Sequence, residues 1–163
     1  MRRYAMNAMM GLFAAVACGL AGCGGGGSSS PPSKVELKIN LTGALPASTA
    51  IGGAQFTVTL PASVTTPAND PGSAVTPSGL FAGALAAVNY SAATNSTAGT
   101  MQIAVITVSS VTQVGEIATV TLNLANGAVP TAADFAITGV QVISSAGPNI
   151  AGIHAVVASA TLK

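Results

Sequence analysis

The chain is poor in charge, in aromatic side chains and in the residues that most often carry catalysis. Charged residues make up 6% of its 163 residues and aromatic residues 4%, and it has 1 histidine, 2 cysteines and no tryptophan. The formal net charge at pH 7 is +1. Proteins that bind nucleic acid carry a strongly positive patch to neutralise phosphates, and so small a charge excludes that class. We expect no nucleic-acid partner.

The few ionisable side chains also leave little for an active site. The acids beyond residue 33 are spread over separate segments: Glu36, Asp70, Glu116 and Asp134. A serine triad needs a histidine beside an orienting acid, and the lone His154 lies in an apolar, strand-like run. Asn69 and Asp70 offer too few oxygens for calcium, which takes about six to eight. We expect a protein that is not an enzyme and that needs no metal or cofactor.

The N-terminus has the layout of a secretory signal. Arg2 and Arg3 precede an uncharged, mostly apolar run at residues 5–21. The run leads into Leu20-Ala21-Gly22-Cys23, which resembles the lipobox of bacterial lipoproteins, where the cysteine is diacylated and the bond before it is cut. The resemblance implies a signal peptide at residues 1–22, lipidation of Cys23, and the membrane as a partner through that lipid. The alternative is a retained transmembrane helix, which needs about 20 apolar residues and few interruptions.

A flexible tether separates this segment from the rest of the chain. Residues 23–33 are mostly glycine, serine and proline, a composition typical of an unstructured linker. We expect a lipid-anchored protein of the cell envelope. The residue after Cys23 is Gly24 rather than an aspartate, which resembles the sorting signal of outer-membrane lipoproteins. In an envelope with two membranes, we therefore expect the outer one. Because Cys18 falls in the signal peptide, the domain at residues 34–163 has no thiol or disulfide.

From Lys34 onward, apolar residues alternate with polar residues at a period of two, as they do in a strand with one buried face. The strand-like runs are Lys34–Leu41, Ala54–Leu60, Leu80–Tyr90, Gly99–Val108, Gly115–Leu124, Phe135–Ile143 and Ile153–Leu162. Leu80–Tyr90 is apolar and alanine-rich rather than alternating, so a helix competes with a strand there, but Gly83 and the lack of a cap favour a strand or a short pair of strands. We predict one all-β domain, an antiparallel β-sandwich or jelly-roll of about seven to nine strands.

Two stretches give finer predictions. The proline-rich connection 61–78 should hold at most one short strand, near Val64 or Val75. Gly99–Val108 is almost wholly apolar, which indicates a central strand buried on both faces.

The alternation also predicts which side chains enter the core. Leu37 and Ile39 should point inward from the first strand, and Val120 and Leu122 from Gly115–Leu124. In the same pattern Ile117 points outward, together with the threonines.

Three stretches resemble the cohesin-like domains of bacterial surface proteins, which share a jelly-roll with carbohydrate-binding modules. They are Gly52–Leu60 leading to Ala62–Val64, Val114–Leu122 and Pro130–Phe135. The resemblance implies a nine-stranded jelly-roll that binds other proteins, typically dockerin modules, through one flat sheet face. Carried over by position, that face uses Gln55, Thr57, Thr59, Thr119 and Thr121.

Two functions remain open at this point. The first is a lipid-anchored, non-catalytic binding or scaffold module that acts through a sheet face on a dockerin-like or other surface protein. The alternative is a carbohydrate-binding surface lipoprotein, for which Tyr90 beside Asn89 is the candidate aromatic platform for a polysaccharide. The exposed threonines are also explained simply as good solvent-facing strand residues.

Overall fold

The computed structural model describes residues 30–67 and 70–163. The predicted signal peptide, the lipidation site Cys23 and Asn69 lie outside the described residues. Within them, no helix is long and apolar enough to cross a membrane.

The described residues form nine strands and three short 3₁₀ helices. The strands are β1 (Lys34–Gly43), β2 (Ile51–Leu60), β3 (Val64–Thr65), β4 (Val75–Pro77), β5 (Leu85–Ser91), β6 (Gly99–Val111), β7 (Glu116–Leu124), β8 (Ala136–Ser144) and β9 (Ile153–Leu162). The 3₁₀ helices are η1 (Pro71–Ala74), η2 (Gly79–Phe81) and η3 (Ala132–Asp134). The predicted all-β class is confirmed, and the strand number lies at the top of the predicted range.

The strands form two antiparallel sheets packed face to face. Sheet A has the order β9-β1-β7, with β3 and β4 both pairing along the other side of β7. Sheet B has the order β5-β6-β2-β8. Each sheet therefore has one inner face on the core and one outer face in solvent, the arrangement of a β-sandwich.

The core is built from the inward residues of both sheets. Leu37 and Ile39 on β1 and Leu122 on β7 are 0% exposed, and Val120 is 1% exposed, as the alternation predicts. Phe56 from β2 and Phe81 from η2 are the largest fully buried side chains. At about 25 cal/mol per Å² of apolar surface removed from water, this interior supplies most of the driving force for folding.

The connection between β2 and β5 corrects one prediction. It holds two short strands, where the sequence predicted at most one: Val64 pairs with Leu124, and Val75 pairs with Val120. Both lie along the same edge of β7. The prolines of this connection keep the two strands short, because proline has no backbone N–H to donate to a neighbouring strand.

Two burial predictions were wrong. β6 is central in sheet B but buried on one face only, with Ile106 61% and Val108 105% exposed, because no further layer covers the outer face. Ile117 was expected outside and is 0% exposed. The register between β1 and β7 shifts there, since Ile39 pairs with Ala118 and Asn40 with Glu116. This bulge turns two consecutive residues toward the core.

Candidate functional site

The five residues predicted to share one binding face lie on two. Gln55, Thr57 and Thr59 are on the outer face of sheet B, because β2 pairs with β6 and β8. Thr119 and Thr121 are on the outer face of sheet A, because β7 pairs with β1, β3 and β4. The outer faces of a sandwich point in opposite directions, so one flat partner cannot cover both sets. The single predicted face is corrected to two separate ones.

The outer face of sheet A carries charge that is neutralised within the face. The Lys38 ammonium donates to Glu116 Oε1 and to Thr119 Oγ1, both at 2.9 Å. The Ser78 hydroxyl, in the connection after β4, donates to Glu116 Oε1 at 2.5 Å and lies 3.0 Å from Thr119 Oγ1. Glu36 and Lys163 form a further ion pair on this face. The hydroxyl of Thr119 is thus already engaged in hydrogen bonds to other side chains of the same protein.

This network changes the acidity of one member. The hydrogen bond from Ser78, and then the hydrogen bond from Lys38, lower the pKa of Glu116 below its ordinary value. Burial opposes them, and the charge of Lys38 and the contact with Thr119 add smaller lowering effects. Glu116 therefore stays ionised at neutral pH. Its carboxylate links β1, β7 and the connection after β4, which is a structural role.

The outer face of sheet B differs in having no charge. None of β2, β5, β6 and β8 contains a charged residue. Amide and hydroxyl side chains form cross-strand rows: Asn89, Gln102, Thr57 and Thr138 in one row, Ala87, Ala104, Gln55 and Gln141 in the next. A smaller row joins Ser91, Thr100, Thr59 and Ala136.

One end of this face is apolar. Leu85 pairs with Ile106, Ile106 with Gly53, and Gly53 with Ile143. Leu85 is 78% exposed and Ile143 39%, and both belong to the aliphatic end of the face together with Ile106 and the fully exposed Val108. Gly53 leaves a gap in the middle of the row, since it has no side chain.

Two surface depressions lie on the same face. One, of about 180 Å³, is lined by Gln55, Ala87, Asn89, Gln102 and Ala104 together with Val88. The other, of about 540 Å³, lies at the aliphatic end beside Gly53, Ile106, Val108 and Ile143. An exposed apolar patch next to polar groups is typical of an interaction surface.

Most of this surface was not predicted from the sequence. Gln102, Gln141 and the aliphatic residues at its end were not expected there, and Asn89 was named only as the neighbour of Tyr90. A signal for Gln102 was present: Thr100, Gln102 and Ala104 alternate with Met101, Ile103 and Val105 along β6. The overall apolar character of the strand obscured that period of two.

The ring of Tyr90 does not lie on the surface where a sugar could stack on it. It pairs with the buried Met101 and packs half-buried against the core, so its ring faces inward rather than onto the outer face of sheet B. The phenylalanines at 56, 81 and 135 are buried. Among the described residues, the outer face of sheet B therefore offers no aromatic ring on which a sugar could stack.

The other two acids of sequence interest, Asp134 and Asp70, cap short helices. Asp134 accepts hydrogen bonds from the backbone N–H of Thr131 at 2.7 Å and from its hydroxyl at 2.9 Å, which lowers the pKa of Asp134 and caps η3. Asp70 caps η1 through the N–H of Gly72. His154 is exposed on β9, at the edge of sheet A.

Comparisons with known proteins give one structural likeness. No protein-family model matches the chain, and no curated protein matches it in sequence. The fold is similar to the non-cellulosomal cohesin from the hyperthermophilic archaeon Archaeoglobus fulgidus, with 10% sequence identity, 74% of this chain and 75% of that chain covered, and a TM-score of 0.49.

Proposed function

We propose that this chain is a non-catalytic binding module of the cell envelope, which binds a protein partner on the outer face of sheet B. The observation that carries the proposal is the segregation of charge. Four neighbouring strands expose amides, hydroxyls and aliphatic side chains without one charged group. Covering such a face does not bury an unpaired ion, which would cost several kcal/mol.

The chemistry of the face specifies the chemistry of the partner. Glutamine and asparagine amides both donate and accept, so the partner needs matching uncharged donors and acceptors. Leu85, Ile106 and Val108 need an apolar contact at one end of the interface. The partner we propose is a folded protein with an uncharged contact surface. Dockerin modules remain the partner that the sequence resemblance implies.

The size of the face supports a moderate affinity. Four strands about 4.8 Å apart and about 25–30 Å long give an area of roughly 500–600 Å². Stable complexes commonly bury about 800 Å² on each partner, and weaker encounters bury less. A complex through this face alone belongs to the smaller class.

Attachment to the membrane is the second part of the proposal, and it rests on the lipobox-like sequence and the linker after it. A lipid on Cys23 would hold the domain at the envelope, and the linker would leave sheet B free to bind. Mass spectrometry of the mature N-terminus should find acyl chains on Cys23. Cys23→Ser should release the protein from membranes, whereas Cys18→Ser should not. An unmodified N-terminus at another residue would contradict this part.

The partner-binding part is tested by site-specific crosslinking with the full chain in its native cell. A photo-reactive residue is placed at Gln102, in the centre of sheet B, or at Thr121, on sheet A. The proposal expects one protein to be captured from position 102 and not from position 121. That protein is then purified and titrated with the full chain.

Matched double variants decide whether the capture reflects binding. Thr57 and Gln102 are direct cross-strand partners on sheet B. Thr57→Lys with Gln102→Lys should weaken binding at least about a hundredfold, because two ammonium groups are desolvated. The control is Thr121→Lys with Thr161→Lys, two positions that pair with Glu36 from either side on sheet A. This control should change the dissociation constant less than about threefold. The opposite ranking would place the binding face on sheet A.

A further inference from the structure

The sandwich has four sheet edges, and three of them are protected against pairing with another strand. In sheet A, β3 and β4 have only 2 and 3 residues, and β4 ends in Pro77. β9 contains an irregularity in its register with β1. In sheet B, the register of β8 with β2 shifts beside Gln55, and the end of β8 is covered by its own following turn, where Ile143 bridges to Asn149. Short strands, prolines and bulges are the means by which proteins block edges.

The fourth edge, β5, has none of these protections. It pairs with β6 over seven consecutive residues without a register shift. Its sequence, LAAVNYS, contains no charge, proline or glycine. Among the residues that the structure describes, no hydrogen bond reaches β5 from any element other than β6; η1 and β4 both lie beside the strand but do not bond to it. The free side of β5 thus presents unpaired backbone donors and acceptors.

We propose that β5 is a self-association edge, on which the β5 strand of a second copy of this chain pairs antiparallel about Val88. The two copies would form one continuous eight-stranded sheet from their two sheets B. In this register Leu85 lies opposite Ser91, Ala86 opposite Tyr90, and Ala87 opposite Asn89. The contact is isologous, so it closes after two copies.

The side chains of β5 favour its own copy as the occupant. Each large residue meets a small one across the pair, Leu85 with Ser91 and Tyr90 with Ala86, so neither face of the joined strands is overcrowded. Cross-strand neighbours of this kind are the unit of sheet stabilisation. No like charges meet, because β5 and its neighbour β6 are uncharged. The pairing also joins the two outer faces of sheet B into one surface, which makes the assembly bivalent for its partner.

The test introduces charges at residues that lie opposite each other in the proposed β5–β5 pair. It uses the full chain in detergent micelles, with an excess of micelles over protein. Ala87 and Asn89 are exposed and face each other across the proposed twofold axis. Ala87→Lys with Asn89→Lys places like charges opposite each other in both pairs. Ala87→Lys with Asn89→Glu places opposite charges there instead. A double lysine on another edge, His154→Lys with Val156→Lys on β9, is the matched control.

Sedimentation equilibrium measures the mass as a function of concentration. The wild type and the β9 control should approach twice the monomer mass as concentration rises. The Lys/Lys variant should associate at least about tenfold more weakly, and the Lys/Glu variant should associate as the wild type does. Thermal unfolding confirms that each variant is folded. A wild type that stays monomeric throughout, or Lys/Lys and Lys/Glu variants that behave alike, would overturn the proposal.

Discussion

The Lys38 ammonium lies 2.9 Å from Glu116 Oε1 and joins the first strand of the domain to the seventh. The same carboxylate oxygen accepts a hydrogen bond from the Ser78 hydroxyl. Three segments far apart in sequence therefore meet at one acidic side chain. Both members of the ion pair remain about one-third exposed, so water screens the pair and it adds little to stability on its own.

Stability should nonetheless depend on the ionisation of Glu116. Its pKa in the folded protein is lowered from the ordinary value of 4.5. A lowered pKa means that the stabilisation is fully present above the unfolded-state value and is lost as pH falls through the folded-state value. Glu116→Gln should therefore reduce the free energy of unfolding at pH 7 by less than about 1 kcal/mol.

The measurement is urea unfolding of the wild type and Glu116→Gln at pH 7 and at low pH. The difference between the two proteins should shrink toward zero below the folded pKa, because the protonated acid resembles the amide. Thr121→Ala, on the same strand and outer face, removes no ionisable group and serves as the control. A difference for Glu116→Gln that stays constant with pH would contradict a role for its charge.

Gly79 should be more sensitive to substitution than Gly127, although both have a positive φ. Its φ of +57° is left-handed, and an added Cβ would lie 2.5 Å from the carbonyl oxygen of Glu116. Gly127 has a φ of +78°, but nothing lies within 4 Å of its added Cβ. Gly127→Ala should cost about 1 kcal/mol from backbone strain. Gly79→Ala should cost about 3 kcal/mol or more, because β7 must also move. Equal midpoints in urea unfolding would show that β7 yields easily.

Ile117 should behave as a core residue despite its position in the alternating pattern. Ile117→Ala should destabilise the protein by about 2–5 kcal/mol, as expected for a fully buried aliphatic side chain. Thr121→Ala, on the outer face of the same strand, should cost less than about 1 kcal/mol. Chemical denaturation of both variants measures the two losses. Similar small losses would mean that the bulge at Ile117 is absent in solution.

Ile117 also illustrates what sequence patterns can predict here. Alternation correctly placed Leu37 on β1 and Leu122 on β7, because both lie in regularly paired stretches. The bulge after Ile39 has no local signature, since it depends on how β1 and β7 meet across a separation of more than 70 residues along the chain. The alternation therefore predicted the correct orientation for most side chains of β7 and the wrong orientation for Ile117, which lies at the bulge.

The binding face shows the same limit at a larger scale. Thr57 and Thr119 have equivalent local patterns, and each is correctly expected on an outer face. Which sheet each strand joins is decided by non-local pairing, and β2 and β7 join different sheets. Periodicity can predict the orientation of a side chain within its strand, but not which strands become neighbours. The charge-free surface became evident only once β5 and β8 were known to flank β6 and β2.

Binding through sheet B should depend weakly on salt. The charged groups Lys38 and Glu116 lie on the opposite outer face, and the two sheets are separated by about 10 Å in a sandwich of this kind. That distance exceeds the screening length of about 8 Å at physiological ionic strength. The dissociation constant for the crosslinked partner should therefore change by less than about threefold between about 150 and about 500 mM NaCl.

A variant with a new charge at the rim provides the comparison. Gln141→Lys places an ammonium on the exposed side of β8, where it can act on the partner during approach. Its association rate should become dependent on salt, while the wild-type rate stays nearly constant, because rim charges act mainly on the rate of encounter. If wild-type binding falls steeply with salt, ionic contacts carry the complex. The charged groups of sheet A, beginning with Lys38, would then be the residues that the partner contacts.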